Sequence, residues 1–168
     1  MEKLILVNKQ DEMIGTCEKM KAHEEALLHR AFSVFIYHDQ KMCIQKRASG
    51  KYHCPNLWTN TCCSHPYENE TTKQAAIRRL KEECGITAEL EEIFVFQYFA
   101  SFDNGLTENE IDHVFIGQID NEEIPFDPEE IEEIKWIGFD ELLEDVKQHP
   151  DIYTPWFKIA LPQVLERI

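Results

Sequence analysis

The chain has 168 residues, a mass of 19.8 kDa and a formal net charge of −15 at pH 7. This length suffices for a hydrophobic core without disulfides, so we expect one domain over residues 1–168. The negative charge repels nucleic acid and anionic membranes, and we expect neither as a partner. No apolar stretch approaches the roughly 18 residues of a membrane span, and no apolar leader follows a basic start, which indicates a cytoplasmic protein.

The predicted elements begin with a β-hairpin. Residues 31–37 are rich in β-branched and aromatic side chains, residues 41–47 alternate apolar with polar, and a short polar turn joins them. Residues 57–63 follow the turn pair Pro55-Asn56 and are expected to be extended.

The clearest predicted helix covers residues 70–84. Its apolar positions recur at helical spacing, Thr71 or Thr72 can cap its start, and Gly85 is suited to its end. Three strands and two helices are expected later in the chain, with strands at 93–99, 111–119 and 134–139, a helix at 140–149, and a last helix after Thr154-Pro155 that Pro162 kinks or ends. Strands and helices mix without strict βαβ alternation, which predicts an α/β (α+β) fold with a mixed sheet flanked by helices.

Three histidines and two glutamates form a candidate metal-binding set. These residues are His23, His29, His65, Glu108 and Glu110. Glu108 and Glu110 share a face if their segment is a strand, and nitrogen and oxygen ligands together suit Zn²⁺, Mn²⁺ or Mg²⁺. The alternative is that these are unrelated surface or hydrogen-bonded groups, which is how we interpret the remaining histidines, His38, His53, His113 and His149.

Cysteine chemistry is the second candidate. Six cysteines are scattered without a CxxC pair, and we expect them to be reduced. Cys63 lies two residues before His65, and a thiol beside a metal ion or a cation ionises more readily, so Cys63 is a candidate acid or base near neutral pH. Cys62 faces the other side of an extended segment and is interpreted as a core residue.

The helix at residues 70–84 carries a third charged pattern. Arg79 and Glu83 are four residues apart, so they lie on one helix face and can pair. The segment resembles the Nudix signature, with Glu70, Glu82, Glu83 and Gly85 in register. Arg79 stands where Nudix hydrolases use a glutamate at the metal, and this substitution argues against diphosphate hydrolysis of the usual kind.

In this departure from the Nudix signature, the chain resembles the type 1 isopentenyl-diphosphate isomerases. The resemblance spans most of the chain in four blocks, residues 28–35, 58–66, 108–112 and 154–157. It implies a Nudix fold and a small-molecule diphosphate substrate, with interconversion of isopentenyl and dimethylallyl diphosphate by a proton shift. The alternatives are a Nudix pyrophosphohydrolase and a non-catalytic metal-binding or protein-binding module.

The resemblance also implies roles for individual residues. Catalysis would involve Cys63, Glu110, Tyr98 and Trp156, where Tyr98 hydrogen-bonds the active-site carboxylate and Trp156 stabilises a carbocation. The diphosphate would contact the cationic side chains of Lys19, Arg47, Lys51 and Arg79. One divalent metal (Mn²⁺, Zn²⁺ or Mg²⁺) would be bound by the His and Glu set above, and a substrate-bridging Mg²⁺ by Glu83. We expect a monomer or a weak dimer.

Overall fold

Residues 3–168 are described by a computed structural model of the chain, in which one mixed β-sheet is flanked by helices. Its strands are β1 (Lys3–Val7), β2 (Met13–Glu18), β3 (His29–His38), β4 (Lys41–Arg47), β5 (Trp58–Thr59), β6 (Cys62–Ser64), β7 (Glu91–Ser101), β8 (Thr107–Gln118) and β9 (Ile131–Gly138). Its helices are α1 (Lys19–Glu24), α2 (Thr72–Cys84), α3 (Phe139–Gln148) and α4 (Pro155–Leu165), with a 3₁₀ turn at Pro150–Ile152. No helix within these residues is long and apolar enough to cross a membrane.

Strand β3 organises the sheet. It pairs in parallel with β8 over its length, and it pairs antiparallel with β6 and, at its end, with β4. Strand β9 extends the sheet beyond β4, and β7 extends it beyond β8. His65, which follows β6, is therefore held near the first residues of β3.

Side chains alternate between two cores because successive strand residues point to opposite faces of a sheet. From β3, Phe35 packs with α3 and α4 on one face, while Val34 and Ile36 pack with α2 on the other. The expected mixed sheet flanked by helices is confirmed.

Helix α2 begins and ends as its sequence predicts. The Thr71 hydroxyl accepts a hydrogen bond from the backbone N–H of Gln74, and the Gln74 side chain accepts one from the backbone N–H of Thr71. Gly85 ends the helix at φ 69°, in the left-handed region. A Cβ atom at Gly85 would lie 2.6 Å from the carbonyl oxygen of Pro125, so both the backbone angle and the space require glycine.

Residues 57–63 do not form one extended segment, because β5 pairs with β4 whereas β6 pairs with β3. Helix α4 follows Thr154 and Pro155 as predicted, with Thr154 at the N-cap position, and it continues through Pro162, so this proline does not end it. The Thr154 hydroxyl makes no capping hydrogen bond and lies 2.7 Å from that of Thr59. Elements β1, β2 and α1 were not predicted.

Candidate active site

The site lies where β3, β6 and β8 meet. His29 of β3 is the direct neighbour of Glu110 in β8, and Cys63 of β6 is the neighbour of Ser33 in β3. Strands β6 and β8 flank β3, so Cys63 and Glu110 come from opposite sides of it. The prediction that Glu108 and Glu110 share a strand face is confirmed, since both lie in β8 and both are buried.

Three imidazoles converge at this point. One nitrogen from each of His23, His29 and His65 lies within 4.8 Å of the others. The Oε2 atom of Glu110 lies 3.0 Å from Nε2 of His29 and 3.0 Å from Nε2 of His65. Four of the five predicted metal-binding side chains are therefore in contact with one another.

The position of the proton on the His29 ring favours the binding of a cation. Nδ1 of His29 lies 2.9 Å from the carbonyl oxygen of Leu27, which can only accept, so this nitrogen carries the ring's proton. In a neutral ring the lone pair of Nε2 then points at the carboxylate of Glu110. Two lone pairs that face each other are the arrangement of metal ligands, and a backbone carbonyl on the other nitrogen is the usual support of a ligating histidine.

Burial keeps His23 and His65 neutral. It lowers the pKa of His23 to about 4, with the nearby His29 acting in the same direction. Burial likewise lowers the pKa of His65 to about 3. Nδ1 of His23 lies 3.3 Å from the carbonyl oxygen of Thr107, and its Nε2 lies 3.2 Å from the hydroxyl of Tyr52. Neutral imidazoles are the form that binds metal ions.

The pKa values of Glu108 and Glu110 are shifted in opposite directions. Burial alone would raise the pKa of Glu110, but when the ring nitrogens of His29 and His65 that face it carry protons, their hydrogen bonds lower this pKa well below its usual range. Burial and the charge of Glu110 raise the pKa of Glu108 well above its usual range. Within residues 3–168, Oε1 of Glu108 and Nδ1 of His65 are buried and have no hydrogen-bond partner. The donor set and these unpartnered atoms are compatible with a divalent cation.

Cys63 does not ionise readily, contrary to the sequence prediction. Burial raises the pKa of its thiol to about 12, although Nη1 of Arg47 lies 3.8 Å from the sulfur and acts in the opposite direction. Desolvation outweighs this one cation, and the thiol keeps its proton at neutral pH. Cys62 is fully buried in the core beneath α2, as expected.

Aromatic residues close the cavity beside Cys63. Trp156 is 5% exposed, its Nε1 atom donates to Oδ1 of Asn60 at 3.1 Å, and its ring lies 5.4 Å from the guanidinium of Arg47. Tyr98 is the direct neighbour of Glu110 across β7 and β8. The expected hydrogen bond from Tyr98 to a carboxylate is not formed, because its buried hydroxyl has no partner within the described residues. The Tyr98 ring packs edge-on against Trp156 at 6.1 Å instead.

A cavity of about 130 Å³ lies beside Cys63, Glu110 and Trp156. Its walls include Cys63, Glu110 and Trp156 together with all four predicted cationic residues, Lys19, Arg47, Lys51 and Arg79. Lys51 forms an ion pair with Glu130, and Nη2 of Arg79 lies 3.6 Å from the same carboxylate. This local group of cations is the feature that an acidic protein needs in order to bind an anion.

Glu83 is buried and pairs with a residue of the cavity wall. Its Oε2 atom is 2.9 Å from Nη2 of Arg79 and 3.4 Å from the sulfur of Cys62, and Glu83 is not among the residues that line the cavity. The predicted pairing of Arg79 with Glu83 is confirmed.

Sequence reasoning missed several residues of the site. His53 was interpreted as a surface or hydrogen-bonded group, yet it is 2% exposed, lines the cavity, and has no partner at either ring nitrogen among residues 3–168. Tyr52 and Glu130 were also missed, because only the tertiary structure brings them to the cavity. Asp112 follows Glu110 by two residues on the same strand, so the alternation of β8 could have identified it.

Solved structures with this architecture are Nudix proteins or share their fold. DR0079 from Deinococcus radiodurans has a TM-score of 0.79 and 18% identity, covering 96% of this chain and 98% of that chain. The MutT NUDIX hydrolase from Burkholderia pseudomallei has a TM-score of 0.66 and 22% identity, covering 82% and 98%. At these identities the likeness shows the fold. The NUDIX domain family model also matches residues 27–157, so the class is the Nudix domain.

Relatives of known name show which family of Nudix proteins the chain belongs to. Isopentenyl-diphosphate Delta-isomerase 2 of Aromatoleum aromaticum is 42% identical, covering 98% of this chain and 87% of the relative. The isopentenyl-diphosphate Delta-isomerase of Aliivibrio fischeri is also 42% identical, covering 99% and 97%. The chain therefore belongs to the isopentenyl-diphosphate Delta-isomerase family of Nudix proteins.

Proposed function

We propose that the protein interconverts isopentenyl diphosphate and dimethylallyl diphosphate for isoprenoid biosynthesis. The observation that carries this proposal is that a protonated thiol, Cys63, and an ionised carboxylate, Glu110, line one cavity with a group of cations. The names of relatives that are 42% to 44% identical to this chain support the same reaction.

The reaction requires an acid and a base on the two sides of a five-carbon chain. Protonation of the terminal CH₂ of isopentenyl diphosphate gives a tertiary carbocation, and loss of a proton from C2 gives dimethylallyl diphosphate. An alkene is a very weak base, so the acid has to be held against it and water excluded. We assign these two proton transfers to Cys63 and Glu110, which come from strands on opposite sides of β3.

The indole of Trp156 is assigned to the carbocation. A π face in a desolvated site contributes about 2 kcal/mol to a nearby cation. Arg47 already lies 5.4 Å from this ring, which supports its use as a cation-binding surface. Tyr98 is assigned to the support of Glu110, its cross-strand neighbour, and its unpartnered hydroxyl is available for that hydrogen bond.

A divalent ion would be held by His23, His29, His65, Glu108 and Glu110. Zn²⁺, Mn²⁺ and Mg²⁺ all accept this mixed donor set. When bound, such an ion would supply positive charge, which lowers the pKa of a carboxyl group that binds it and so favours the ionised form of Glu110. The chain's own contribution is to keep the imidazoles neutral and to hold their rings in place, as the Leu27 carbonyl does for His29.

The diphosphate is assigned to Lys19, Arg47, Lys51 and Arg79. A Mg²⁺ ion that bridges the diphosphate to Glu83 would have to share this carboxylate with Arg79, whose Nη2 atom is 2.9 Å from it. We also propose that residues 1–168 act as a single domain, as a monomer or a weak dimer in the cytoplasm, and without a nucleic-acid partner.

The proposal is tested by incubating the purified protein with isopentenyl diphosphate and Mg²⁺ and separating the products by chromatography. Dimethylallyl diphosphate is the expected product. Activity should fall by about 10² to 10⁴ in Cys63→Ala and in Glu110→Gln, whereas Cys17→Ala, which changes a thiol on β2 outside the cavity, should stay close to wild type.

Two results would contradict these assignments. Full activity in Cys63→Ala and Glu110→Gln would exclude the two residues as the acid and the base. Release of phosphate or of a nucleoside monophosphate from dinucleotides, without isomerisation, would indicate a pyrophosphohydrolase. Arg78 argues against hydrolysis, because it binds both Glu70 and Glu82, two of the carboxylates of the Nudix signature.

A further inference from the structure

A group of charged side chains lies on the face of β8 opposite to the cavity. His113 of β8 is three residues beyond Glu110, and strand alternation therefore directs it to the other face of the sheet. Its Nε2 atom is 2.7 Å from Oδ2 of Asp11, and its Nδ1 atom is 2.6 Å from Oε1 of Glu92 on β7. Nε of Arg30 on β3 donates to Oδ1 of Asp11 at 2.9 Å, and Nη2 of Arg30 donates to the backbone carbonyl of Asp11. Four segments of the chain thus meet at one imidazole.

The number of protons on His113 decides whether both contacts hold. A neutral imidazole has a single N–H, whereas a carboxylate only accepts. Both short contacts, to Asp11 and to Glu92, are therefore hydrogen bonds only when the ring carries two protons and a positive charge. Loss of one proton leaves one carboxylate facing a lone pair, and that contact becomes repulsive.

Asp11 belongs to the turn between β1 and β2, at the tip of this hairpin. Among residues 3–168, the pairing of β1 with β3 contains one residue pair, Leu6 and His29, and the backbone N–H of Val7 donates to the carbonyl oxygen of Leu28. Side chains of β1 are buried, whereas strand β2 contributes no buried residue. The charged group around His113 therefore attaches the tip of the hairpin, which these apolar contacts of β1 do not hold.

The hairpin leads directly into the site. β2 ends at Glu18, and α1 begins at Lys19 without an intervening loop. This short helix carries Lys19, which lines the cavity, and His23, which belongs to the imidazole cluster. Displacement of the hairpin therefore displaces both side chains.

We propose that His113 is a positioning residue: through Asp11 it fixes the β1–β2 hairpin against the sheet, and with it Lys19 and His23, while its imidazole carries both protons. The charged groups that face it are Asp11, Glu92 and, through Asp11, Arg30. Its direct cross-strand neighbours, Phe32 on β3 and Val95 on β7, carry no charge. A ring with a single proton can donate to only one of the two carboxylates, so the attachment is complete only while the imidazole carries both protons.

Amide hydrogen exchange of the whole protein tests the attachment directly. Protection factors of residues 3–24, corrected for intrinsic exchange rates, should be about threefold to tenfold lower in His113→Gln, which cannot donate to both carboxylates, than in wild type, while α2 stays unchanged. In His113→Arg, which keeps a positive charge and several N–H groups, the protection of these residues should stay as in wild type.

A matched control is available at the end of α3. His149 also pairs with a carboxylate, since its Nδ1 atom is 3.1 Å from Oδ1 of Asp145, but it lies outside the hairpin and the cavity. His149→Gln should leave the exchange of residues 3–24 as in wild type. Equal protection of these residues in wild type and in His113→Gln would overturn the proposal.

The consequence for the active site rests on the proposed function and is measured separately. At neutral pH, His113→Gln should raise the metal dissociation constant and the KM for isopentenyl diphosphate by about threefold to tenfold, because α1 carries one ligand and one cation. With metal and substrate saturating, kcat should change less than twofold. A change in kcat alone would overturn the positioning role, and absence of isomerase activity in wild type would contradict the proposed function but leave the exchange result valid.

Discussion

His29 and Glu110 are direct neighbours in parallel strands, and Nε2 of the histidine lies 3.0 Å from Oε2 of the glutamate while the other ring nitrogen donates to a backbone carbonyl. The geometry of the backbone thus decides which nitrogen faces the carboxylate. A neutral ring in this position has no proton to share with Glu110, so the pair is arranged to bind a cation together.

Substitution of His29 should therefore abolish tight metal binding. We expect His29→Gln to weaken the binding of Zn²⁺ or Mn²⁺ by more than about a hundredfold, because loss of a direct ligand costs more than loss of its support. Calorimetric titration of chelator-treated protein measures this. His38→Gln, which alters a histidine outside the imidazole cluster, is the control, and equal affinities in the two variants would exclude His29 as a ligand.

Arg79 and Arg78 are adjacent on α2 but point to different partners. Arg79 lines the cavity and binds Glu83, whereas Arg78 binds Glu70 and packs 3.9 Å from the ring of Tyr67. We expect Arg79→Gln to raise KM for the diphosphate by about tenfold to a hundredfold, the value of a hydrogen bond to a charged group. Arg78→Gln should change KM less than about threefold in the same steady-state assay. Similar KM values for both variants would contradict the assignment of Arg79.

The thiol of Cys63 should resist alkylation. Its pKa is raised to about 12 by burial, and a raised thiol pKa means less thiolate at any given pH, so reaction with iodoacetamide stays slow from about pH 7 to pH 9. Arg47→Gln removes a cation that acts against this shift and should slow the reaction further. Mass spectrometry of the metal-free protein reports each site separately. Modification of Cys63 as fast as that of the half-exposed Cys17 would show that the thiol is ionised.

Glycine at position 85 should be required for stability. Gly85→Ala places a Cβ atom 2.6 Å from the Pro125 carbonyl oxygen at a φ of +69°, and we expect a loss of about 1 to 3 kcal/mol in the free energy of unfolding. Gly15→Ala, whose Cβ meets nothing within 4 Å, should cost less than about 1 kcal/mol. Urea denaturation compares the two, and equal losses would contradict the steric explanation.

Local patterns predicted the elements that are stabilised locally. Neighbouring residues determine the capping box at Thr71, the left-handed conformation of Gly85 and the alternation of β4. Helix α2 and strand β4 were therefore predicted within two residues of their bounds. The β1–β2 hairpin was missed, and the side chains that contact its turn, Arg30 and His113, are distant from it in sequence. The division of residues 57–63 between two strands follows from which partner each strand finds, which no local pattern contains.

The sequence predicted which residues form the candidate site better than it predicted the contacts between them. His65, Glu110 and the four cations line one cavity, and His23 and His29 belong to the imidazole cluster beside Glu110. The predicted ionisation of Cys63 was wrong because burial outweighs Arg47, whereas the role of Glu83 at a Mg²⁺ ion stays a prediction. His53 and Glu130 could not be recognised, since a histidine in a loop and a glutamate in an acidic run are ordinary surface residues until the fold encloses them.

Turnover in heavy water tests the acid–base pair most directly, with the product followed by NMR. A donor thiol and a carboxylate exchange with solvent, so we expect each molecule of dimethylallyl diphosphate to contain about one deuterium in the methyl group formed from the terminal CH₂. Cys63→Ala should incorporate deuterium about 10² to 10⁴ times more slowly than wild type. Isomerisation without deuterium uptake would mean that one group carries the same proton between the two carbons, and it would contradict a mechanism in which Cys63 and Glu110 act from opposite sides.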